Sequence, residues 1–131
     1  MSVTLADLLS SPDHYLHSFE GDAAVFVPMD SAAYRRSIFL DARISPAADG
    51  SMQVPIATIG PVANDGVPIG WIFHVAHCGS TLLARALEGL AGNLVLKEPA
   101  ALWQLGFAPD AALLDLVLHK LSRRYREDSL T

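Results

Sequence analysis

The chain has 131 residues, of which 51% are apolar and 18% charged; this composition favours one compact globular domain and excludes a disordered chain. Its formal net charge is -5, so a surface for nucleic acid or anionic membrane, which would need a basic excess, is not expected. The single cysteine, Cys78, excludes an internal disulfide framework and favours a soluble protein of the reducing cytoplasm.

Local signals predict short helices and strands at the N-terminus. Thr4 can cap a helix that ends at Leu9, and a second helical turn is expected from Pro12 to Phe19. Gly21 and Asp22 indicate a turn, and residues 23–29 are apolar enough for a strand.

The next segment continues this mixed pattern. Asp30 or Ser31 can cap a short helix over residues 32–36, and residues 37–40 are a further strand candidate. Residues 52–59 are rich in β-forming side chains, but Pro55 restricts them to a sheet edge or an extended arm. The glycines and prolines of residues 60–70 predict a connector.

The pattern changes at Trp71 to that of a β-α-β unit. Residues 71–76, "WIFHVA", are typical of a central strand buried on both faces, and residues 93–98, "NLVLKE", of a second. Between them a helix is predicted from Ser80 to Ala91, with Gly92 closing it. Its expected buried face is Leu82, Leu83, Ala86, Leu87 and Leu90.

Two helices are predicted at the C-terminus. Pro99 opens one over residues 100–105, and Pro109 is expected at the first position of another that reaches about Glu127. The apolar stripe of the second helix is Leu114, Val117, Leu118, Leu121 and Tyr125. Its late cations are Lys120, Arg123, Arg124 and Arg126, which we expect to be solvated and to complement the helix dipole.

The junction "HCGST" between the predicted strand and helix is a candidate anion site. The first N–H groups of a helix lack intrahelical partners and lie at the positive end of the dipole. Gly79 allows a ligand to approach the backbone closely, and Ser80 and Thr81 can add hydroxyl donors. The alternative is that Ser80 only caps the helix and Gly79 only relieves a turn.

Two common phosphate-binding families do not fit this junction. The nucleotide P-loop needs a Lys after its last Gly, where this chain has Ser80. Cysteine-dependent phosphatases place five residues between Cys and Arg, but six separate Cys78 from Arg85. The extra residue rotates the Arg85 side chain by about 100 degrees, away from the cradle.

The motif "AHCGSTLL" at residues 76–83 resembles the 5′-phosphosulfate loop of the sulfotransferase family, approximately Pro-[Lys/Arg]-Ser-Gly-[Thr/Ser]-Thr-Leu/Trp-Leu. The following "NLVLKEPAALWQ" is similar to the second strand of bacterial sulfotransferase-like proteins. The resemblance implies a P-loop-type α/β fold that binds 3′-phosphoadenosine-5′-phosphosulfate (PAPS). It also implies transfer of the sulfuryl group to a small acceptor bearing a hydroxyl or amine.

The resemblance assigns roles to individual residues. Cys78, Gly79, Ser80 and Thr81 would bind the 5′-phosphosulfate, and His77 stands where the family has Lys or Arg. A protonated His77 could stabilise the bridging oxygen as the sulfuryl group leaves. Glu98, at the end of the second predicted strand, could accept the acceptor's proton; alternatively it starts the next helix or pairs with Lys97.

The sequence thus predicts an α+β extension over residues 1–66 and the opening β-α-β of a sulfotransferase-like domain over residues 67–131. The expected third strand and 3′-phosphate site would lie beyond Thr131, so we expect a fragment of a longer protein. The alternatives are that the N-terminal strands complete the sheet, or that a homodimer does so. No metal, nucleic acid or membrane partner is expected. A non-catalytic assembly module and a phosphatase using Cys78 remain alternatives.

Overall fold

The computed structural model describes residues 3–37, 39–62, 69–72, 79–88, 94–123 and 125. These residues form a mixed α/β domain, which agrees with the α/β composition expected from the sequence. The elements in chain order are α1 (Leu5–Ser10), β1 (His14–Glu20), β2 (Ala23–Pro28), α2 (Ser31–Arg36), β3 (Met52–Pro55), α3 (Ile56–Ile59), α4 (Ser80–Glu88), α5 (Ala100–Phe107) and α6 (Ala111–Leu121).

The helix caps are set by local sequence. Thr4 caps α1 through a capping box, in which its hydroxyl accepts from the Asp7 backbone N–H while the Asp7 carboxylate accepts from the Thr4 N–H. The Asp30 side chain accepts from Ala33 N at the start of α2. Both predicted N-termini are therefore confirmed, with Asp30 rather than Ser31 as the cap of α2.

The sheet is antiparallel, in the order β1-β2-β3. Gly21, with φ of +59°, opens the two-residue turn between β1 and β2, a conformation in which glycine avoids the Cβ clash. The helical turn predicted from Pro12 to Phe19 is wrong, because these residues lie mainly in β1. Pairing with β2 buries Tyr15 and Leu16, and this tertiary gain outweighs the weak local signal for helix.

The strand predictions for residues 37–40 and 52–59 are only partly right. β3 is an edge strand that ends at Pro55, as the missing proline N–H requires, but residues 56–59 form α3. Ser37, Phe39 and Leu40 lie in no strand, whereas Ile38 is outside the described residues. Leu40 nevertheless joins the chain at residues 97–100, donating its N–H to Lys97 O and accepting from Ala100 N.

The predicted parallel strands are not seen in the described residues. Residues 94–98 lie beside Leu40 but in no strand, which contradicts the strand predicted over residues 93–98. Trp71 and Ile72 also lie in no strand and are 50% and 40% exposed, whereas the prediction buried them; residues 73–76 are outside the described part. Alternating or continuous apolar residues cannot specify which partner covers them.

Most of the described residues of the apolar face predicted for α4 are exposed, although Leu87 is half-buried. Leu82 and Leu83 are 76% and 48% exposed and Ala86 is exposed, whereas Ala84 is buried. The predicted Leu90 and Gly92 lie outside the described residues. The helical period is correct, but this face would need the predicted parallel sheet to cover it.

The two C-terminal helices lie where the sequence predicts them, but their first and last residues differ from the predicted ones. α5 extends two residues past the predicted end, to Phe107. α6 has Asp110 as its N-cap, accepting from Leu113 N, so Pro109 precedes the helix instead of occupying its first position. The helix ends at Leu121 rather than near Glu127, and Lys120 is buried instead of solvated.

The core lies where the hairpin of β1 and β2 meets the helices. α5 and α6 contact β1 and each other, and α1 contacts both β1 and α6. The fully buried large side chains at this centre include Phe26, Leu16, Leu40 and Val117. Within the described ranges, no helix is both long enough and apolar enough to cross a bilayer.

Candidate anion-binding site

The candidate loop ends at the first turn of α4. Gly79 directly precedes this helix with φ of +86°, and its carbonyl accepts from the Leu83 N–H at 3.2 Å. A Cβ at position 79 would meet no described atom within 4 Å, but the positive φ would strain any L side chain. The first N–H groups of α4 therefore emerge beside a residue that has no side chain and whose Cβ position meets no described atom.

The predicted cradle residues are only partly covered by the described chain. His77 and Cys78 lie outside the described residues. Ser80 and Thr81 form the first turn of α4 through their backbone. Of the predicted junction, the structure therefore describes Gly79 and the start of α4.

Arg85 is committed to contacts away from the start of α4. Its guanidinium donates to the Arg35 carbonyl at 2.8 Å and lies 3.3 Å from the Glu88 carboxylate. A cysteine-dependent phosphatase would need this guanidinium over the cradle. The observed contacts agree with the rotation inferred from the six-residue spacing.

A buried ion pair connects α4 to the segment that follows it. Lys97 Nζ donates to Glu88 Oε1, and the two side chains are only 6% and 10% exposed. Glu88 is the last residue of α4, about 12 Å along the axis from Ser80 at 1.5 Å per residue. The contact therefore joins Lys97 to the end of α4 opposite Gly79, whereas a parallel β-α-β unit would bring Lys97 and Glu98 toward Gly79.

Glu98 has a strained backbone. Its φ of +49° is the one positive value for a non-glycine residue among the described positions. Lys97 and Ala100, on its two sides, both bond to Leu40 through Lys97 O and Ala100 N. These two bonds hold the backbone on both sides of Glu98 and so maintain its strained conformation.

The Glu98 carboxylate faces a cation from a distant part of the chain. Arg43 Nη2 lies 3.5 Å from Glu98 Oε2 and 2.6 Å from Asp41 Oδ2, and its guanidinium stacks 3.7 Å from the Phe39 ring centroid. Hydrogen bonds from Arg43 lower the pKa of Asp41 to about 2. Glu98 is thus a half-exposed carboxylate beside a guanidinium, and Lys97, its predicted alternative partner, pairs with Glu88 instead.

Sequence reasoning missed Arg43. It lies 55 positions before Glu98, in a loop without a recognisable motif, and only the contact of Leu40 with residues 97–100 brings it near. No local signal could have found this pair. Among the described side chains, no cluster of three or more His, Cys, Asp or Glu could hold a metal ion.

Comparisons with protein-family models, with curated proteins and with solved structures found no match for this chain.

Proposed function

We propose that residues 77–81 and the first turn of α4 bind the 5′-phosphosulfate of PAPS, as part of a P-loop-type sulfotransferase-like unit. The observation that carries the proposal is the coincidence of the "AHCGSTLL" motif with a helix that begins at Ser80 after a positive-φ glycine. Such a junction presents unpaired N–H groups to an anion without needing net positive charge. This matters in a chain whose net charge is -5.

In the proposed reaction, an acceptor hydroxyl or amine attacks the sulfur of PAPS, and the bond between sulfur and the bridging oxygen breaks, so that the bridging oxygen leaves with the 5′-phosphate. Protonated His77 stabilises the charge that develops on the bridging oxygen. The resemblance alone assigns the acceptor's proton to Glu98, because its neighbour Lys97 is bonded at the far end of α4. The products are a sulfated small molecule and adenosine 3′,5′-bisphosphate.

The cradle is tested by calorimetry with adenosine 3′,5′-bisphosphate, comparing Gly79→Ala with Gly50→Ala. Both glycines have positive φ, +86° and +92°, and neither Cβ would meet a described neighbour, so the backbone costs are matched. We expect both variants to lose about 1 kcal/mol of unfolding free energy. Only Gly79→Ala should lose at least about tenfold in affinity, since its Cβ enters the cradle.

Two results would contradict the proposed cradle. No heat of binding at millimolar bisphosphate in the unaltered chain would refute the PAPS site. Equal losses of affinity in Gly79→Ala and Gly50→Ala would assign the effect to general destabilisation.

The role of Glu98 is tested separately, because Lys97 joins its segment to the far end of α4. Glu98→Gln should leave bisphosphate affinity unchanged while abolishing transfer of labelled sulfate from PAPS to a panel of hydroxyl and amine acceptors. Retained transfer would remove Glu98 as the base without affecting the cradle. The Gln side chain keeps the shape of Glu, so a loss of transfer would reflect the lost carboxylate.

A second candidate is a non-catalytic assembly module, which the exposed apolar residues of α4 and α5 favour. Leu82, Trp103 and Phe107 are each more than two-thirds exposed, which is unusual for several large apolar side chains in one small domain. This function requires association without bisphosphate binding. The phosphatase alternative has no such support, since Arg85 is engaged with Arg35 and Glu88.

A further inference from the structure

Two large aromatic side chains form an exposed ridge on α5. Trp103 and Phe107 are 71% and 75% exposed, and their ring centroids are 4.7 Å apart with planes at 62°. They are four residues apart, so they project from one face of the helix. Single exposed apolar residues are ordinary, but an adjacent exposed aromatic pair marks a contact surface. Trp103 and Phe107 are called the α5 ridge below.

An apolar groove lies beside this ridge, between α5 and α6. Its volume is about 450 Å³, within the range of pockets that enclose a drug-sized molecule, so it has room for aromatic rings. Asp110, the one charged residue among the described residues that line it, already accepts from Leu113 N as the cap of α6. The lining residues are Leu102, Leu105, Gly106, Pro109, Asp110, Ala111 and Leu114.

Gly106 leaves the groove open at its α5 wall. It lies inside α5, where glycine is less favourable than alanine, and a Cβ built there would meet no described atom within 4 Å. The described residues of one chain therefore give no steric reason for glycine at this position. A second backbone or a ring entering the groove would benefit from the missing side chain.

Ridge and groove are adjacent on the same helix. Positions 103 and 107 are turned by about 100 degrees from positions 102 and 106, which line the groove. When two copies of α5 cross about a two-fold axis, the ridge of each can enter the groove of the other. This surface thus carries both a projection and a matching recess, as an isologous interface requires.

We infer that the α5–α6 face is the interface of a homodimer, with each α5 ridge seated in the groove of the second copy. The exposed area of the four aromatic side chains is on the order of 500 Å². The smallest stable interfaces bury about 1,200 Å² in total, and the aromatic side chains alone would supply nearly half of that area. The groove walls and Leu114 add to the buried area. The surface differs from the sheet edge at which the sequence suggested a dimer.

The charges near the ridge argue against a membrane surface as its partner. Residues 99–119 contain no Lys or Arg, and their acidic residues are Asp110 and Asp115. An amphipathic membrane surface would need cations beside its aromatic residues. A second copy needs none, because its contacts here are apolar.

The test is sedimentation velocity of the full chain over about 1 to 200 μM, where mass action shifts a dimer of moderate affinity. Trp103→Ala removes half of the ridge, and Gly106→Leu fills the groove with a good helix former. We expect each to raise the dimer dissociation constant at least about tenfold, as truncation of a central aromatic residue does. Leu82→Ala, at an equally exposed position on α4, is the control and should leave the constant unchanged.

The results that overturn the proposal are equally specific. A monomer at every concentration would refute it, as would a dimer that persists in both Trp103→Ala and Gly106→Leu. Dissociation by Leu82→Ala alone would place the interface on α4 instead. Circular dichroism of each variant checks folding, and Gly106→Leu should melt no lower than the unaltered chain, since leucine is the better helix former and a Cβ at this position meets no described atom within 4 Å.

Discussion

Lys120 carries its amino group inside the domain, where burial opposes a positive charge. The residue is 5% exposed, and its Nζ donates to the Leu8 carbonyl and, at 2.9 Å, to the Ser11 carbonyl at the end of α1. Loss of hydration, with a smaller contribution from the nearby Arg123, lowers the pKa of Lys120 from 10.5 to about 7. The lysine thus fixes α1 to α6, at a cost that depends on pH.

This environment predicts that stability rises with pH. Between about pH 7 and 10.5 the unfolded chain binds a proton on Lys120 that the folded chain has released, so the free energy of unfolding increases with pH. Below about pH 7 both states are protonated and the full penalty remains. We expect a gain of about 2 kcal/mol from pH 7 to pH 9, measured by urea denaturation.

Lys120→Met is the control for this prediction, because it keeps a long side chain without the titrating group. Its free energy of unfolding should lack this rise. Burial raises the pKa values of Tyr15 and Tyr34, so both phenols stay protonated in the folded state over this window. Parallel pH profiles for Lys120→Met and the unaltered chain would refute the assignment.

At the scale of elements, α5 completes the hydrogen bonding of an edge strand. β1 lies at one side of the sheet, and the Gln104 side chain accepts from the Phe19 N–H at 2.7 Å and donates to the Phe19 carbonyl at 2.9 Å. The amide group thus takes the place of a neighbouring strand residue. It also explains how α5 is oriented on β1, since both bonds must form together.

Gln104→Ala should lower the free energy of unfolding by about 1 to 3 kcal/mol, because it leaves the partly buried N–H and carbonyl of Phe19 without this partner. Gln53→Ala is the matched control. Gln53 makes one exposed hydrogen bond, to Glu20 at 3.0 Å, and its removal should cost less than about 0.5 kcal/mol. If chemical denaturation showed equal losses of unfolding free energy in the two variants, the hydrogen bonds to Phe19 would contribute no more than an exposed hydrogen bond.

The elements differ in how far sequence could predict them. Thr4 was predicted as a cap, and Asp30 as one of two candidates, because a cap depends on a side chain and a backbone N–H three residues away. β1 was mistaken for a helical turn because its stability comes from β2. The apolar face of α4 was recognised by its period, but its exposure depends on what the rest of the chain supplies.

At the scale of the whole molecule, the Lys97–Glu88 pair connects α4 to the region before α5. Both side chains are nearly excluded from solvent, so each charge depends on the other. The Leu40 backbone bonds connect the same region to the N-terminal half. Residues 94–98 are thus held from two sides although they belong to no strand.

Replacing one partner of this ion pair should cost more than replacing both partners by apolar residues. Lys97→Met leaves the buried Glu88 carboxylate with the more exposed Arg85 guanidinium in place of its buried partner, and should lower the free energy of unfolding by about 3 kcal/mol. The double variant Lys97→Met with Glu88→Leu should recover a substantial part of that loss. Thermal or urea unfolding gives the coupling energy, and simple additivity of the two single variants would contradict it.

Arg85→Ala is the control for this cycle. Its guanidinium also contacts Glu88, at 3.3 Å, but its side chain is 42% exposed. Because the Arg85 side of this pair is exposed to solvent, Arg85→Ala should cost on the order of 1 kcal/mol, less than Lys97→Met. A loss as large as that of Lys97→Met would mean that burial is not the source of the effect.

The sequence by itself determined the features that depend on neighbouring residues: the caps of α1 and α2, the Gly21 turn, the edge position of β3, and a helix that begins at Ser80 after Gly79. It also supplied the motif on which the PAPS proposal depends. Only the tertiary structure decided that β1 is a strand, that Lys120 is buried, and that Arg43 meets Glu98. Caps and turns are stabilised within a few residues, whereas strand pairing, burial and distant ion pairs take their free energy from partners that local sequence does not specify.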